Sequence, residues 1–234
     1  GNAYDLNIKI FNKMQHTITG WPAGKPNADD SNRPERADIP KKRIIIFSPH
    51  PDDDVISMGG TFDRLVEQGH EVHVAYQTSG NIAVSDQDAL KFAEISLALN
   101  LNSEEPKTLI NFLKHKTDQD IDSHEILRLK ALIRRSESLA ATRYLGLEDS
   151  SVHFLNLPFY ETGTVKKNNI TTADLDIMCK LIEDIKPHQI YAAGDLADPH
   201  GTHKVCLNVL FDSLEVLKNR TYMEDCWVWL YRGA

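Results

Sequence analysis

Residues 43–60 read RIIIFSPHPDDDVISMGG, and this stretch decides the fold class. Residues 44–47 form a short, wholly apolar and mostly β-branched run, which is typical of a strand buried on both faces of a parallel sheet. A polar segment follows at once. Residues 57–68 then have the spacing of an amphipathic helix, and Gly69 stands where a left-handed C-terminal cap is expected. Strand, polar loop and helix in this order predict the first unit of an α/β sheet.

The same alternation continues to the end of the chain. Further strands are predicted at 72–76, 152–155, 189–193 and 227–231, and helices at about 86–100, 124–146, 172–186 and 202–218. Strands separated by helices form βαβ units, so we predict a single α/β domain with a Rossmann-like, open, mostly parallel sheet and helices on both faces. In such sheets ligands bind beyond the carboxyl ends of the strands.

The segment before residue 43 has a different character. Residues 4–15 are predicted to form a short helix, and residues 16–42, with four prolines and two glycines, have the composition of a linker. We therefore divide the chain into an N-terminal helix and linker at 1–42 and a domain at 43–234, and we expect the whole to be a fragment of a longer protein.

Charge and hydropathy argue against two classes of partner. The chain carries a formal net charge of −8 and no long run of Lys or Arg, so nucleic acid is not expected as a partner. No stretch approaches the roughly 20 consecutive apolar residues that cross a bilayer, and the first residues lack the layout of a signal peptide. We therefore expect no membrane partner and a cytoplasmic location. The cysteines Cys179, Cys206 and Cys226 have no CxxC spacing and are interpreted as small buried hydrophobic residues.

Two polar clusters directly follow predicted strands. They are SPHPDDD at 48–54 and GDLADPHGTH at 194–203, and both fall at strand carboxyl ends. Imidazole and carboxylate without thiolate suit a catalytic zinc site with three protein ligands and an open position, although Fe(II), Co(II) and Mn(II) bind similar sets. His50 and Asp53 can converge on one ion. Asp52, between them, is then available as the general base that removes a proton from water.

A structural interpretation competes with this one. The three aspartates at 52–54 could merely cap the following helix, and His200 and His203 could be surface residues at a helix start. A cap accounts for one carboxylate and not for three beside a histidine, so the functional interpretation is preferred for the first cluster. For the histidine pair alone, the surface interpretation is preferred. Arg134 and Arg135 could bind an anionic group if they faced the cleft, but a solvated helix face is the preferred interpretation.

These motifs resemble those of the PIG-L/LmbE family of zinc-dependent N-deacetylases. The string His50-Pro51-Asp52-Asp53-Asp54, followed by Gly59-Gly60, is similar to the family's A-H-P-D-D-E and Gly-Gly pair. Arg134 and Glu137, with Ala140-Ala141 and Leu145-Gly146 after them, resemble its R-x-x-E helix, and His200-x-x-His203 stands where members carry H-P-D-H. The resemblance runs in family order over residues 43–218.

The resemblance implies a role for each matching position. His50, Asp53 and His203 would bind the zinc ion (Zn²⁺), and Asp52 would be the general base. His200 would stabilise the tetrahedral oxyanion or protonate the leaving amine. The family fold is Rossmann-like, and its activity is removal of an acetyl group from N-acetylglucosamine-type amides. A small-molecule amino-sugar substrate is therefore expected.

The chain departs from the family pattern at two places. Asp54 replaces the usual Glu, and Gly201-Thr202 replaces Pro-Asp, which removes a carboxylate that could orient a neighbouring histidine. Asp195 or Asp198 could take its place.

A narrower resemblance is carried by DPHGTHK at 198–204 together with the segment 21–26. These residues are similar to the C-terminal domain of bacterial glucosamine-6-phosphate deaminase-like fusion proteins. Two hypotheses therefore stay open. One is an N-deacetylase, and the other is a non-catalytic, sugar- or metal-binding regulatory domain beside a fused or neighbouring deaminase domain. The oligomeric state is not predicted.

Overall fold

The computed structural model describes residues 2–15, 41–99, 101, 104–117, 119–162, 164, 166–195, 197 and 200–232. In chain order these residues form α1 (Ala3–Gln15), β1 (Arg43–Ser48), α2 (Asp53–Glu67), β2 (Glu71–Tyr76), α3 (Asp86–Ala98), α4 (Glu104–His115), α5 (His124–Tyr144), β3 (Val152–Phe154), α6 (Thr172–Ile185), β4 (Gln189–Ala193), α7 (Thr202–Leu217) and β5 (Trp227–Tyr231). Most of the predicted linker, at 16–40, lies outside the described residues. None of the described helices has the length and apolar character needed to cross a bilayer.

The five strands form one parallel sheet in the order β3-β2-β1-β4-β5. On one side β1 pairs with β2, with Ile44 opposite Val72, and on the other it pairs with β4, with Ile45 opposite Ile190. The chain winds outward from β1 to β3 and then crosses to the other side at β4. The carboxyl ends of β1 and β4 therefore flank the switch point at which doubly wound sheets bind ligands.

Alternate side chains of β1 build a core on each face of the sheet. Ile45 and Phe47 lie in the core covered by α6 and α7, whereas Ile44 and Ile46 lie in the core covered by α2 and α5. All four side chains are fully buried, as predicted for a strand covered on both sides. The predicted open parallel sheet with helices on both faces is confirmed. Cys206 is buried in the first core, and Cys179 and Cys226 pack against it half-buried.

The helical pair α3 and α4 contributes a third, smaller core beside α5. Its buried members are Ala89, Ala93, Leu109, Leu113 and Ile126. The sequence does not predict α4, because Pro106 with two glutamates before it resembles a loop. In the structure Pro106 lies in the first turn of α4, where the missing N–H costs no helical hydrogen bond.

The helix α2 begins four residues before its predicted start, whereas the other predicted elements lie within two residues of their predicted bounds. The reason is that the motif closes a turn with its own backbone. The His50 carbonyl accepts from the N–H groups of Asp52 and Asp53, and the Asp52 carbonyl accepts from Val55 and Ile56. The chain leaves helical geometry at Met58 (φ −139°, ψ 20°), just before the glycine pair. Gly69 ends α2 with φ 73°, in the predicted left-handed cap.

Candidate metal centre

The two polar clusters meet at the carboxyl ends of β1 and β4. His50 lies just after β1, Asp53 opens α2, and His203 lies in the first turn of α7. His50 Nδ1 is 3.2 Å from His203 Nε2, and Asp53 Oδ2 is 3.3 Å from each of these two nitrogens. The structure thus brings together three predicted ligands, although the two histidines are 153 positions apart in the chain.

These three ligand atoms form a triangle with the dimensions of a tetrahedral metal site. Zinc–nitrogen and zinc–oxygen distances of roughly 2.0–2.2 Å place two ligands of one tetrahedral ion about 3.3–3.5 Å apart. The edges of the triangle, at 3.2, 3.3 and 3.3 Å, agree with this spacing. Within the part of the chain that the structure describes, this is the one group of at least three His, Cys, Asp or Glu side chains arranged to hold an ion. The donor set therefore fits a divalent metal.

The carboxylate of Asp53 is held by its own turn and by both histidines. Its Oδ2 accepts a hydrogen bond of 2.8 Å from the backbone N–H of His50. Burial alone would raise the pKa of Asp53, but hydrogen bonds with His203 and His50 outweigh it and hold the pKa well below its ordinary value. Asp53 is therefore ionised, which is the form that binds a cation.

Asp52 stands at the N-cap position of α2, yet its side chain makes no capping hydrogen bond. Its Oδ2 instead lies 2.8 Å from Arg134 Nη2. Since Asp53 faces the histidines, capping does not account for the aspartates of the motif. Asp52 is therefore paired with an arginine of another helix and is not one of the three converging residues.

Asp54 lies beneath the motif and is fully buried. Its carboxylate accepts hydrogen bonds from the Tyr76 hydroxyl at 2.8 Å and the Ser48 hydroxyl at 3.3 Å. Burial raises the pKa of Asp54 to about 6, although these hydrogen bonds act in the opposite direction. Ser48 also donates to the His50 carbonyl. Asp54, at the position where the resembled family carries Glu, therefore binds Tyr76 of β2 and connects the motif loop to the sheet.

Arg134 is not on the solvated helix face that the sequence predicts. Its side chain is 18% exposed, and its guanidinium lies between Asp52, at 2.8 Å, and Glu137, at 3.6 Å. The expectation was wrong because α5 packs against the motif loop, where Ser138 Oγ donates to the Pro51 carbonyl at 3.1 Å. That contact carries Arg134, one turn earlier, to Asp52. Arg135 is exposed, as predicted.

Gly80 allows the loop after β2 to pack directly against Pro51 of the motif loop. It has φ 63°, and a Cβ added there would be 2.7 Å from Pro51 Cδ and 3.4 Å from Arg134 Nε. Only glycine satisfies both the left-handed backbone and this close approach. Asn81, the next residue, is buried and begins a single 3₁₀ turn.

Two residues of the loop between β3 and α6 also lie near the centre and were not predicted. The Tyr160 ring meets the His50 ring edge-on, with 6.0 Å between centroids, and burial raises the pKa of Tyr160 to about 12. Glu161 accepts hydrogen bonds of 3.0 Å from both the N–H and the hydroxyl of Ser79, and burial raises its pKa. Neither residue belongs to a motif, so only the tertiary fold could reveal them.

His200 is placed differently from His203. It is exposed, and its backbone carbonyl accepts a 2.6 Å hydrogen bond from Lys167 Nζ. Its ring is not one of the groups that converge on the triangle, so the role predicted for it stays a prediction. Asp195 Oδ2 lies 3.8 Å from His203 Nδ1, which is longer than a hydrogen bond. The other candidate for orienting a histidine, Asp198, lies outside the described residues.

Comparison with known families identifies the class of protein. The family model described as PIG-L, GlcNAc-PI de-N-acetylase, matches residues 45–213, which is most of the chain and includes all three converging residues. The chain belongs to this family, so the predicted resemblance is confirmed.

Individual relatives show how far the likeness extends. A glucosamine-6-phosphate deaminase-like protein of Bacteroides thetaiotaomicron is 55% identical over 245 aligned positions, which cover 100% of this chain and 37% of that protein. The chain thus spans little more than a third of the length of this curated relative, as the narrower resemblance predicts.

Solved structures resemble the chain at lower identity. N,N'-diacetylchitobiose deacetylase from Pyrococcus horikoshii has a TM-score of 0.54 at 17% identity, over 99% of this chain and 70% of that one. A 4-carboxy-2-hydroxymuconate hydratase from Pseudomonas putida KT2440 has a TM-score of 0.49 at 20% identity, over 77% and 59%. The likeness to the deacetylase, at 17% identity, shows the fold, whereas function depends on the residues of the site.

Proposed function

We propose that this domain is a metal-dependent amide hydrolase that removes an acetyl group from an N-acetylglucosamine-type small molecule, with zinc as its ion. The observation that carries the proposal is the triangle of His50, Asp53 and His203, with Asp52 beside it and bound to Arg134. Membership of a de-N-acetylase family supports the type of bond. The deaminase-like relative supports an amino sugar, because the free amine that deacetylation releases is the kind of group on which a deaminase acts.

His50, Asp53 and His203 would hold the ion, and three protein ligands leave a position for water or substrate. When bound, a divalent ion supplies a Lewis acid that polarises a carbonyl oxygen and lowers the pKa of water. The two imidazoles and one carboxylate suit zinc, and Fe(II), Co(II) or Mn(II) would fit the same donors.

Asp52 is the proton acceptor of the reaction. The ion pair between Arg134 Nη2 and Asp52 Oδ2 fixes the carboxylate in position, and Asp52 takes a proton from the water that adds to the acetamide carbonyl carbon. The carbon–nitrogen bond then breaks, the proton passes to the leaving nitrogen, and the products are acetate and a free amine. His200 stabilises the developing oxyanion or donates to the amine. Tyr160 packs against His50 and limits the access of water to that side of the ring.

A second hypothesis is a regulatory domain that binds metal or sugar without hydrolysis. One observation favours it, namely the exposed position of His200. In either case we propose that the domain acts beside a fused or neighbouring deaminase domain, since the relative is much longer than this chain.

Metal analysis combined with acetate release separates the two hypotheses. Protein purified without chelator is assayed on N-acetylglucosamine, its 6-phosphate and N,N'-diacetylchitobiose. We expect about one divalent metal ion per chain and release of acetate from at least one compound. His203→Ala should lose both properties. Asp52→Asn should keep the metal and lose about 10²- to 10⁴-fold in kcat, the usual contribution of a general base.

The control is His115→Ala, at the exposed end of α4, which should retain metal and activity. Hydrolysis by metal-free or His203→Ala protein at the parent rate would overturn the mechanism. Bound metal without acetate release from any compound would favour the regulatory domain.

A further inference from the structure

A groove runs along α5 next to the metal centre. The helix contributes Arg128 and Arg135, two turns apart and therefore on one face, and the opposite wall contains Pro51, Ser79, Phe154 and Asn156. The groove has a volume of about 180 Å³, which is the room taken by roughly six water molecules. It is open to solvent and lies at the carboxyl ends of β2 and β3, on the same edge of the sheet as the converging histidines.

Arg135 differs in its surroundings from four other arginines of the chain. Arg64, Arg134, Arg143 and Arg220 each lie within 2.8 Å of a carboxylate oxygen. Among the described residues, no carboxylate lies within 4.0 Å of Arg135, whose guanidinium instead sits 4.5 Å from the centre of the Phe154 ring. Stacking of this kind holds the guanidinium in place and leaves its N–H donors directed to the side. In a chain of net charge −8, it is an oriented cation without an acidic partner.

Arg128 adds a second positive charge to the same face. Its Nη1 approaches Glu105 only to 4.0 Å, and both side chains are exposed, so this contact is weak. Ser79 is not a donor for a ligand, because its N–H and hydroxyl are both bonded to Glu161. The donors that the groove offers are therefore the two guanidinium groups and the side-chain amide of Asn156.

The groove and the metal centre share a wall. Pro51, which lines the groove, stands between His50 and Asp52 in the chain, and Gly80 packs against its ring. Ser79, which also lines the groove, is bonded to Glu161. Glu161 follows Tyr160 in the chain, and the Tyr160 ring contacts the His50 ring. The groove therefore adjoins the motif loop that carries His50 and Asp52.

We propose that this groove binds an anionic group of the substrate, a phosphate or a carboxylate, through Arg135 with help from Arg128. The inference rests on the proposed function, because it treats the triangle as the place of the acetamide. The charged group has two possible positions, as an ester on the sugar ring or as a substituent at the anomeric carbon. Both present oxyanion oxygens to the guanidinium groups.

The kinetic test compares neutral and charged substrates. Acetate release is measured for N-acetylglucosamine, N-acetylglucosamine 6-phosphate and N-acetylglucosamine 1-phosphate with the parent, Arg128→Gln, Arg135→Gln and the double variant. We expect Arg135→Gln to lower kcat/KM for one of the phosphorylated compounds about tenfold, mainly through KM, and to leave the neutral compound within about twofold. The phosphorylated compound that responds identifies the position of the anion.

The matched control is Arg143→Gln, near the far end of α5, where the arginine pairs with Asp149. It should change no substrate selectively. Equal losses for neutral and charged substrates in Arg135→Gln, or no loss at all, would overturn the proposal.

A binding experiment separates failure of the groove from failure of the proposed hydrolysis. Calorimetry with glucosamine, glucosamine 6-phosphate and glucosamine 1-phosphate needs no turnover. If no substrate is hydrolysed, tighter binding of one phosphorylated amine, weakened about tenfold by Arg135→Gln and reduced by added salt, would still support the groove. Indistinguishable binding of charged and neutral amines by the parent would end the inference, even in an active deacetylase.

Discussion

Arg134 Nη2 lies 2.8 Å from Asp52 Oδ2, and this contact joins the R-x-x-E helix α5 to the motif loop after β1. Two neighbouring contacts support it, from Ser138 to the Pro51 carbonyl and from the loop at Gly80 to the Pro51 ring. The proposed base is therefore positioned by a side chain from another element and not by the helix that it precedes.

Removal of the Arg134 side chain should reduce activity without removing metal. In Arg134→Gln we expect kcat to fall about 10- to 100-fold, because Asp52 loses the charged hydrogen bond that fixes its orientation. Metal content should remain that of the parent, since none of the three converging residues contacts Arg134. Steady-state kinetics and elemental analysis check the two expectations, with Arg143→Gln as the control. An unchanged kcat would show that Asp52 needs no such partner.

The hydrogen bond between Tyr76 and Asp54 should contribute to stability. Tyr76→Phe leaves a buried carboxylate with one fewer donor, and we expect the free energy of unfolding to fall by about 1–3 kcal/mol. Urea unfolding of metal-free protein measures it. In a double-mutant cycle with Asp54→Asn, the two changes should cost less together than the sum of their single effects. Additive costs would mean that the two groups do not interact.

Gly80 and Gly69 form a matched pair, because both have left-handed backbones but only Gly80 has a close neighbour. Gly69→Ala should cost about 1 kcal/mol for the backbone alone. Gly80→Ala adds a clash with Pro51 and should cost roughly 2–4 kcal/mol. It should also lower kcat, since Pro51 lies between His50 and Asp52. The free energy of unfolding and kcat are measured for both variants. Equal losses of unfolding free energy would show that the loop at Gly80 shifts to accommodate the added methyl group.

His70 should make stability depend on pH in the mildly acidic range. Burial, and then the charge of Lys42, lower the pKa of His70 to about 4, and its Nδ1 accepts a hydrogen bond from the Lys42 backbone N–H. Because the folded pKa is below the unfolded value of about 6.5, this contribution is complete above pH ~6.5 and is lost as the pH falls toward 4, by up to about 3 kcal/mol.

The variant that checks this is His70→Gln, whose unfolding free energy should vary less between pH 6.5 and 4 than that of the parent. His124→Gln, at the exposed start of α5, is the control and should follow the parent. Parallel curves for parent and His70→Gln would contradict the assignment.

Tyr160 should act on the metal centre through its ring. Tyr160→Phe keeps the edge-on contact with His50, so metal affinity should stay within about twofold of the parent. Tyr160→Ala removes that support, and the affinity should fall about tenfold, as when a group that orients a metal ligand is lost. Competition with a chromogenic chelator gives both numbers. Similar affinities for the alanine and phenylalanine variants would exclude a supporting role for the ring.

The sequence predicted most of the fold, because one α/β pattern repeats and the central strand β1 is apolar on both faces. It missed α4 since Pro106 is compatible with a loop and with a first helical turn, and local pattern does not choose between them. It placed α2 late because the helix opens with two aspartates of the polar motif, which carry no apolar periodicity.

The site was predictable only where residues form a motif. His50 and Asp53 were predicted as ligands from their chemistry and position after a strand, and His203 from the family resemblance, whereas Tyr160 and Glu161 come from a loop with no pattern. Arg134 was expected on a solvated helix face, because helical spacing describes α5 alone. It does not indicate that the motif loop after β1 packs against this helix. Contacts between elements that are distant in sequence depend on tertiary packing, which local periodicity does not specify.

The strand order also separates two kinds of change. The residues proposed to bind a cation follow the adjacent strands β1 and β4, whereas the groove proposed to bind the substrate's anionic group lies at the ends of β2 and β3 and along α5. If both proposals hold, substitutions along α5 would change substrate preference and leave the residues of the chemical step in place.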